Sequence, residues 1–70
     1  MWMVIHMARP LSAAEAIRDK LAEEGFLVRL RPVSRAGAQV EDAYYELIVP
    51  QAEAAEARQV LLDLNLFESP

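Results

Sequence analysis

The pattern of apolar and polar positions along the chain predicts three strands and two helices. The strands are expected at residues 2–8, 26–33 and 43–49, and the helices at 12–24 and 51–64. The strands are rich in branched and aromatic residues or alternate in polarity, whereas the helices repeat apolar residues at i, i+3 and i+7. A mobile loop at 34–42 and a tail at 65–70 complete one domain of 70 residues.

The helices have clear start and stop signals. Ser12 and Glu15 have the spacing of a capping box, and Gly25 stands where a left-handed residue would end the first helix. Pro50 stops the third strand and can open the second helix. The predicted buried stripes are Ala14, Ile17 and Leu21 on the first helix, and Ala54, Ala57, Leu61 and Leu64 on the second.

Alternation along the strands predicts one covered and one open sheet face. The second strand alternates Phe26, Val28 and Leu30 with Leu27, Arg29 and Arg31. Two arginines should not enter a core this small, so their side points away from the helices. The predicted open face carries Trp2, Val4, His6, Leu27, Arg29, Arg31, Tyr44, Glu46 and Ile48. The covered face then takes Met3, Ile5 and Met7 of the first strand and Tyr45, Leu47 and Val49 of the third. A register error of one residue would exchange a set of side chains between the faces.

The element order predicts an α+β fold. A right-handed crossover makes the first two strands parallel and leaves room for the third between them. The sheet order is then 1-3-2, with both helices on one face, as in a ferredoxin-like βαββα unit that lacks the last strand. The edge of the first strand is left unpaired and apolar.

Composition excludes several classes of function. The chain has no cysteine, so it has neither disulfides nor a thiolate metal site. Its net charge of -4 argues against a nucleic-acid partner. Neither a signal-like start nor an apolar run of about 20 residues is present, so we expect no membrane association and a cytoplasmic location.

The open face permits two interpretations. The first is a homodimer interface formed by Trp2, Val4, His6, Leu27 and Ile48, since aromatic residues and arginine are typical of interfaces. The second is a site for a protein partner or a small anion, with Arg29, Arg31, Arg35, Tyr44 and Glu46 as binding candidates. We expect no catalytic residue, no metal and no cofactor.

Several segments resemble a known family. They are the apolar first strand, Glu24-Gly25-Phe26-Leu27-Val28, and Tyr45-Glu46-Leu47-Ile48-Val49-Pro50 followed by an alanine- and glutamate-rich helix. This arrangement resembles the short prokaryotic signal-transducing protein family, a domain of unknown function. The resemblance implies a fold like the nitrogen-regulatory PII proteins and a role in signalling. Similar short chains are sometimes labelled glutamate decarboxylase, but Lys20, the only lysine, lies on a helix of a domain too small to enclose pyridoxal phosphate.

Two functional hypotheses follow. The favoured one is a non-enzymatic regulatory or protein-interaction module that forms a homodimer. The alternative is a small enzyme or enzyme subunit with a site across a dimer interface, in which His6 acts with Arg29 or Arg31.

Overall fold

The computed structural model describes residues 1–33 and 43–64 of the chain. Within these residues the elements are β1 (Trp2–Ala8), α1 (Leu11–Glu23), β2 (Arg29–Pro32), β3 (Tyr45–Pro50), a short 3-10 turn (Gln51–Glu53) and α2 (Ala54–Asp63). The predicted loop 34–42 and tail 65–70 lie outside the described residues. No helix in the described part is long and apolar enough to cross a membrane.

The three strands form one sheet in the order β1-β3-β2. The central strand β3 runs antiparallel to both neighbours. The predicted α+β, ferredoxin-like βαββα arrangement is therefore confirmed. It follows from the right-handed crossover through α1, which separates β1 from β2 by the width of one strand.

Both helices cover one sheet face and enclose the core there. Leu47 and Val49 of β3 are fully buried against Leu21 of α1 and Leu61 of α2. Three more buried residues complete this cluster: Ile5, Ala54 and Ala57. The predicted helix stripes are thus confirmed, except that Leu64 is 42% exposed at the end of α2.

The two ends of α1 are stabilised by backbone hydrogen bonds. The predicted capping box is wrong, because Pro10 is the N-cap residue and no side chain caps the helix. The carbonyl of Pro10 accepts the first helical bonds. At the other end Gly25 has φ +99, and its N–H and that of Phe26 donate to the carbonyls of Ala22 and Leu21. This is a Schellman motif, which requires a residue that tolerates positive φ.

Strand β2 is shorter than predicted because its ladder ends at Arg29. Continuing the observed register would place Leu27 opposite Pro50, which has no N–H to donate. The N–H of Leu27 instead donates to Oε1 of Glu53, 3.1 Å away. Phe26 and Val28 still pack against the core, as their alternation predicts.

A β-bulge in β1 corrects the predicted faces of this strand. Val4 lies opposite Ile48, but His6 lies opposite Leu47, so the ladder skips Ile5. Residues opposite each other in a ladder share a face. His6 is therefore on the helix side with Leu47, and Met7, opposite Glu46, is on the open side. The prediction that His6 faces outward and Met7 inward is wrong, because the bulge adds one residue to the alternation.

Candidate functional site

The open side of the sheet, here called the outer face, carries side chains from all three strands. In strand order they are Trp2, Val4 and Met7 on β1, Tyr44, Glu46 and Ile48 on or beside β3, and Arg29 and Arg31 on β2. Neither described helix packs against this side. Most of the predicted outer-face set is therefore present there, with Met7 in place of His6.

At one end of the outer face, Trp2 and Arg29 reach over the central strand. The Arg29 guanidinium carbon lies 4.9 Å from the centroid of the Trp2 ring, in cation–π geometry. These residues sit on the two edge strands, and Ile48 lies between them on β3. Ile48 is only 7% exposed although it is not part of the helix-side core. Val4, which lies directly opposite Ile48, and the Trp2–Arg29 pair together account for its low exposure.

In the middle of the face, Arg31 and Glu46 form a cross-strand pair. Arg31 Nε donates to Glu46 Oε1 over 2.7 Å. The two residues are directly opposite in the β2–β3 ladder, so the geometry needs little rearrangement of long side chains. This pair compensates the charge of Arg31 and makes it a poor free anion site.

At the far end, Arg9 and Tyr44 form a second cation–π pair. The guanidinium carbon lies 5.2 Å from the centroid of the Tyr44 ring. Tyr44 is 48% exposed and the nearby Met7 is 47% exposed. Neither Arg9 nor Met7 is among the predicted site residues, since Arg9 stands in a turn and Met7 is predicted to face the helices. No sequence signal distinguished them.

The remaining predicted site residues are more scattered. Leu27 is 56% exposed but precedes β2 and lies outside the ladder. Arg35 lies outside the described residues. Within one chain, His6 lies on the opposite side of the sheet from Arg29 and Arg31, and the predicted enzymatic site across a dimer interface stays a prediction. His6 instead lines a pocket with Arg9, Tyr44 and the first turns of α1.

Charge is segregated between the two layers. Among residues 1–33 and 43–64, the outer face and its end carry three arginines, Arg9, Arg29 and Arg31, against the single carboxylate Glu46. The described helical segments and their caps carry the opposite balance: acids Glu15, Asp19, Glu23, Glu24, Glu53, Glu56 and Asp63 against bases Arg18, Lys20 and Arg58. The described residues of this acidic chain thus give its outer face a net positive charge.

Among the described residues, the protein interior contains no charged side chain that could form a buried site. None of them is a buried polar or charged side chain. Within the same residues there is no group of three or more His, Cys, Asp or Glu that could hold a metal ion. In this part of the chain no Asp, Glu, Lys, Arg or His side chain is buried, whereas Tyr45 lies in the core and is 5% exposed.

Comparisons with protein-family profiles, with curated proteins and with solved structures found no match to this chain.

Proposed function

We propose that this chain is a non-enzymatic interaction module with a regulatory role, and that its outer face binds an acidic partner protein. The observation that carries the proposal is the pair of arginine–aromatic stacks, Trp2–Arg29 and Arg9–Tyr44, on a sheet face that no described helix covers. The signalling role comes only from the family resemblance of the sequence.

The side chains on this face are of the types that dominate binding energy at protein interfaces. Trp, Tyr and Arg are enriched among the residues whose truncation costs most affinity. The stacks also restrict the long arginine side chains before a partner arrives. Ordering a flexible side chain on binding costs about 0.5–1.5 kcal/mol, so part of that cost is already met in the free protein.

The charge distribution favours an acidic partner. A positively charged face attracts an acidic surface at long range and raises the association rate. The acidic helix layer repels the same partner, which directs it to the sheet. Because these effects are screened by salt, we expect the binding to weaken as ionic strength rises.

A homodimer that packs outer face on outer face is the second candidate. Trp2, Val4 and Ile48 supply apolar area for it, and a domain of this size gains stability from association. Two copies of the same face would, however, bring two net positive surfaces together. Like charges across an interface are unfavourable, and this places the homodimer second.

The first experiment is the molecular mass in solution by light scattering, for the wild type and for Trp2→Glu. The acidic-partner proposal predicts a wild-type monomer at all accessible concentrations. A wild-type dimer that Trp2→Glu dissociates would assign the outer face to self-association and overturn the proposal.

The second experiment compares capture of proteins by wild-type chain, by Arg29→Glu and by the matched control Arg58→Glu. Arg58 is exposed on α2, so its substitution makes the same charge change on the opposite layer. We expect an acidic protein that wild type and Arg58→Glu capture and that Arg29→Glu loses, with binding reproduced between the purified proteins. If Arg29→Glu captured the same protein as well as the wild type does, the outer face would be excluded as the binding surface.

A further inference from the structure

A cavity of about 390 Å³ lies where β1 ends and α1 begins. That volume is at the lower end of the range of small-molecule pockets, roughly 300–1,000 Å³. The residues that define its character come from β1 and its end, from α1 and from the start of β3: His6, Met7, Arg9, Ala13, Ile17 and Tyr44. Because of the bulge, His6 lies on the helix side of the sheet and Met7 on the outer face, and both residues line the cavity.

The wall of this cavity is apolar on one side and carries a cation on the other. Ala13 and Ile17 of α1 present methyl and aliphatic groups, and Met7 adds a thioether. Arg9 supplies the positive charge, and Tyr44 and His6 supply polar groups beside it. No carboxylate is among the residues that line the described cavity.

Among the described residues, Arg9 and Arg29 each stack on an aromatic ring without an ion pair, and of the two only Arg9 lines the cavity. Arg31 is paired with Glu46. Arg9 instead stacks on Tyr44 and forms no ion pair with a carboxylate of residues 1–33 and 43–64. Its guanidinium is therefore held in position by an aromatic ring while its charge is uncompensated by any described acid.

We propose that this cavity binds a small organic carboxylate with a compact apolar tail. The guanidinium of Arg9 would donate to both carboxylate oxygens, a geometry that suits the planar fork of arginine. The tail would lie against Ala13 and Ile17 and remove their apolar surface from water. Stacking on Tyr44 fixes Arg9 in advance, which lowers the entropic cost of binding.

Hexanoate is a suitable probe, titrated into 15N-labelled protein and followed by amide chemical shifts. We expect saturable shifts at Met7, Ala13 and Ile17. Hexanol, which keeps the tail without the charge, and acetate, which keeps the charge without the tail, should each bind at least about tenfold more weakly.

Two variants test the assignment of Arg9. Arg9→Gln should weaken hexanoate binding by about tenfold, because it removes a charged hydrogen-bond donor. Arg18→Gln is the matched control, since Arg18 lies on α1 outside the cavity and pairs with Asp19. We expect Arg18→Gln to bind hexanoate like the wild type.

Three outcomes would overturn the proposal. They are an absence of saturable shifts up to about 10 mM hexanoate, unchanged affinity in Arg9→Gln, and shifts confined to Arg29 and Arg31. A second variant, Ala13→Met, fills the cavity and should abolish binding while circular dichroism shows the fold retained. The cavity shares Arg9 and Tyr44 with the proposed partner-binding face, but the two proposals can be tested separately, because neither Trp2→Glu nor Arg29→Glu alters a residue that lines the cavity.

Discussion

Replacing Trp2 by alanine should destabilise the protein although Trp2 stands at the start of the chain and is 37% exposed. The ring covers Ile48 and stacks with Arg29 across the central strand. Alanine at this position would remove the stack and uncover Ile48. The expected decrease in the free energy of unfolding has two parts, one from the lost burial of the ring and one from the lost cation–π pair.

The magnitude follows from the exposed fractions. Complete burial of a large apolar side chain contributes about 1.5–3 kcal/mol, and nearly two thirds of Trp2 is buried, so burial contributes about 1–2 kcal/mol. A cation–π pair at an exposed site adds about 0.5–1 kcal/mol. We therefore expect a loss of about 2 kcal/mol, which for a domain of this size lowers the Tm by roughly 8–16 °C.

A double-mutant cycle separates the two parts. The free energies of unfolding of wild type, Trp2→Ala, Arg29→Gln and the double variant are measured by urea denaturation followed by far-ultraviolet circular dichroism. We expect a coupling energy of about 0.5–1 kcal/mol between the two sites. Leu62→Ala is the control, because Leu62 is 60% exposed on α2 and its loss should stay within about 0.5 kcal/mol.

A coupling energy indistinguishable from zero would refute the stacking of Arg29 on Trp2 in solution. A Trp2→Ala loss no larger than that of Leu62→Ala would refute the cover over Ile48. The two results are separable, because the first concerns only the pair and the second concerns burial.

Three further predictions concern the fold and its surface. Gly25→Ala should cost about 1–2 kcal/mol in thermal denaturation, because φ is +99 although an added Cβ would meet no atom within 4 Å. Leu47→Ala should lose about 2–5 kcal/mol in urea denaturation, a large share of the roughly 4–10 kcal/mol expected for 70 residues. Arg31→Gln should lose at most about 1 kcal/mol, and about 1 M salt should abolish the difference from wild type, since Arg31 is 56% exposed in its pair with Glu46.

Each of these three predictions would be contradicted by a specific result. A neutral Gly25→Ala would show that α1 does not end in the left-handed conformation. A Leu47→Ala variant as stable as wild type would contradict a core centred on β3. An Arg31→Gln loss that persists in high salt would show that the side chain contributes through packing rather than charge.

The sheet order and the core were predictable because several independent signals agree on them. The alternation at Tyr45, Leu47 and Val49 and the stripe at Ala14 and Leu21 each indicate one buried face, and the structure buries all five. Strand β2 also contains arginines, which leave one choice of face. Topology then follows from the handedness of the crossover.

The side of the sheet on which each residue of β1 lies could not be predicted, because apolar residues occupy both alternations of this strand. Residues Met3 to Met7 are apolar at both alternations except for His6, so either half could face the core. In such a run, a bulge does not change the visible pattern of apolar and polar residues. The predicted candidate site was therefore only partly correct. The arginines of β2 were assigned to the right face, whereas His6 and Met7 were each assigned to the wrong face and Arg9 was not predicted.

Because of the bulge, β1 could be one residue shorter and still pair with β3 in the same register. Ile5 is the inserted residue, and the pairs on either side of it, Val4 with Ile48 and His6 with Leu47, already follow one another along β3 without a gap. Deleting Ile5 would therefore leave a regular strand in the same register, with the pocket and the outer face unchanged in composition. At this point the strand could lose one residue without a shift in its pairing with β3, at the expense of one buried side chain.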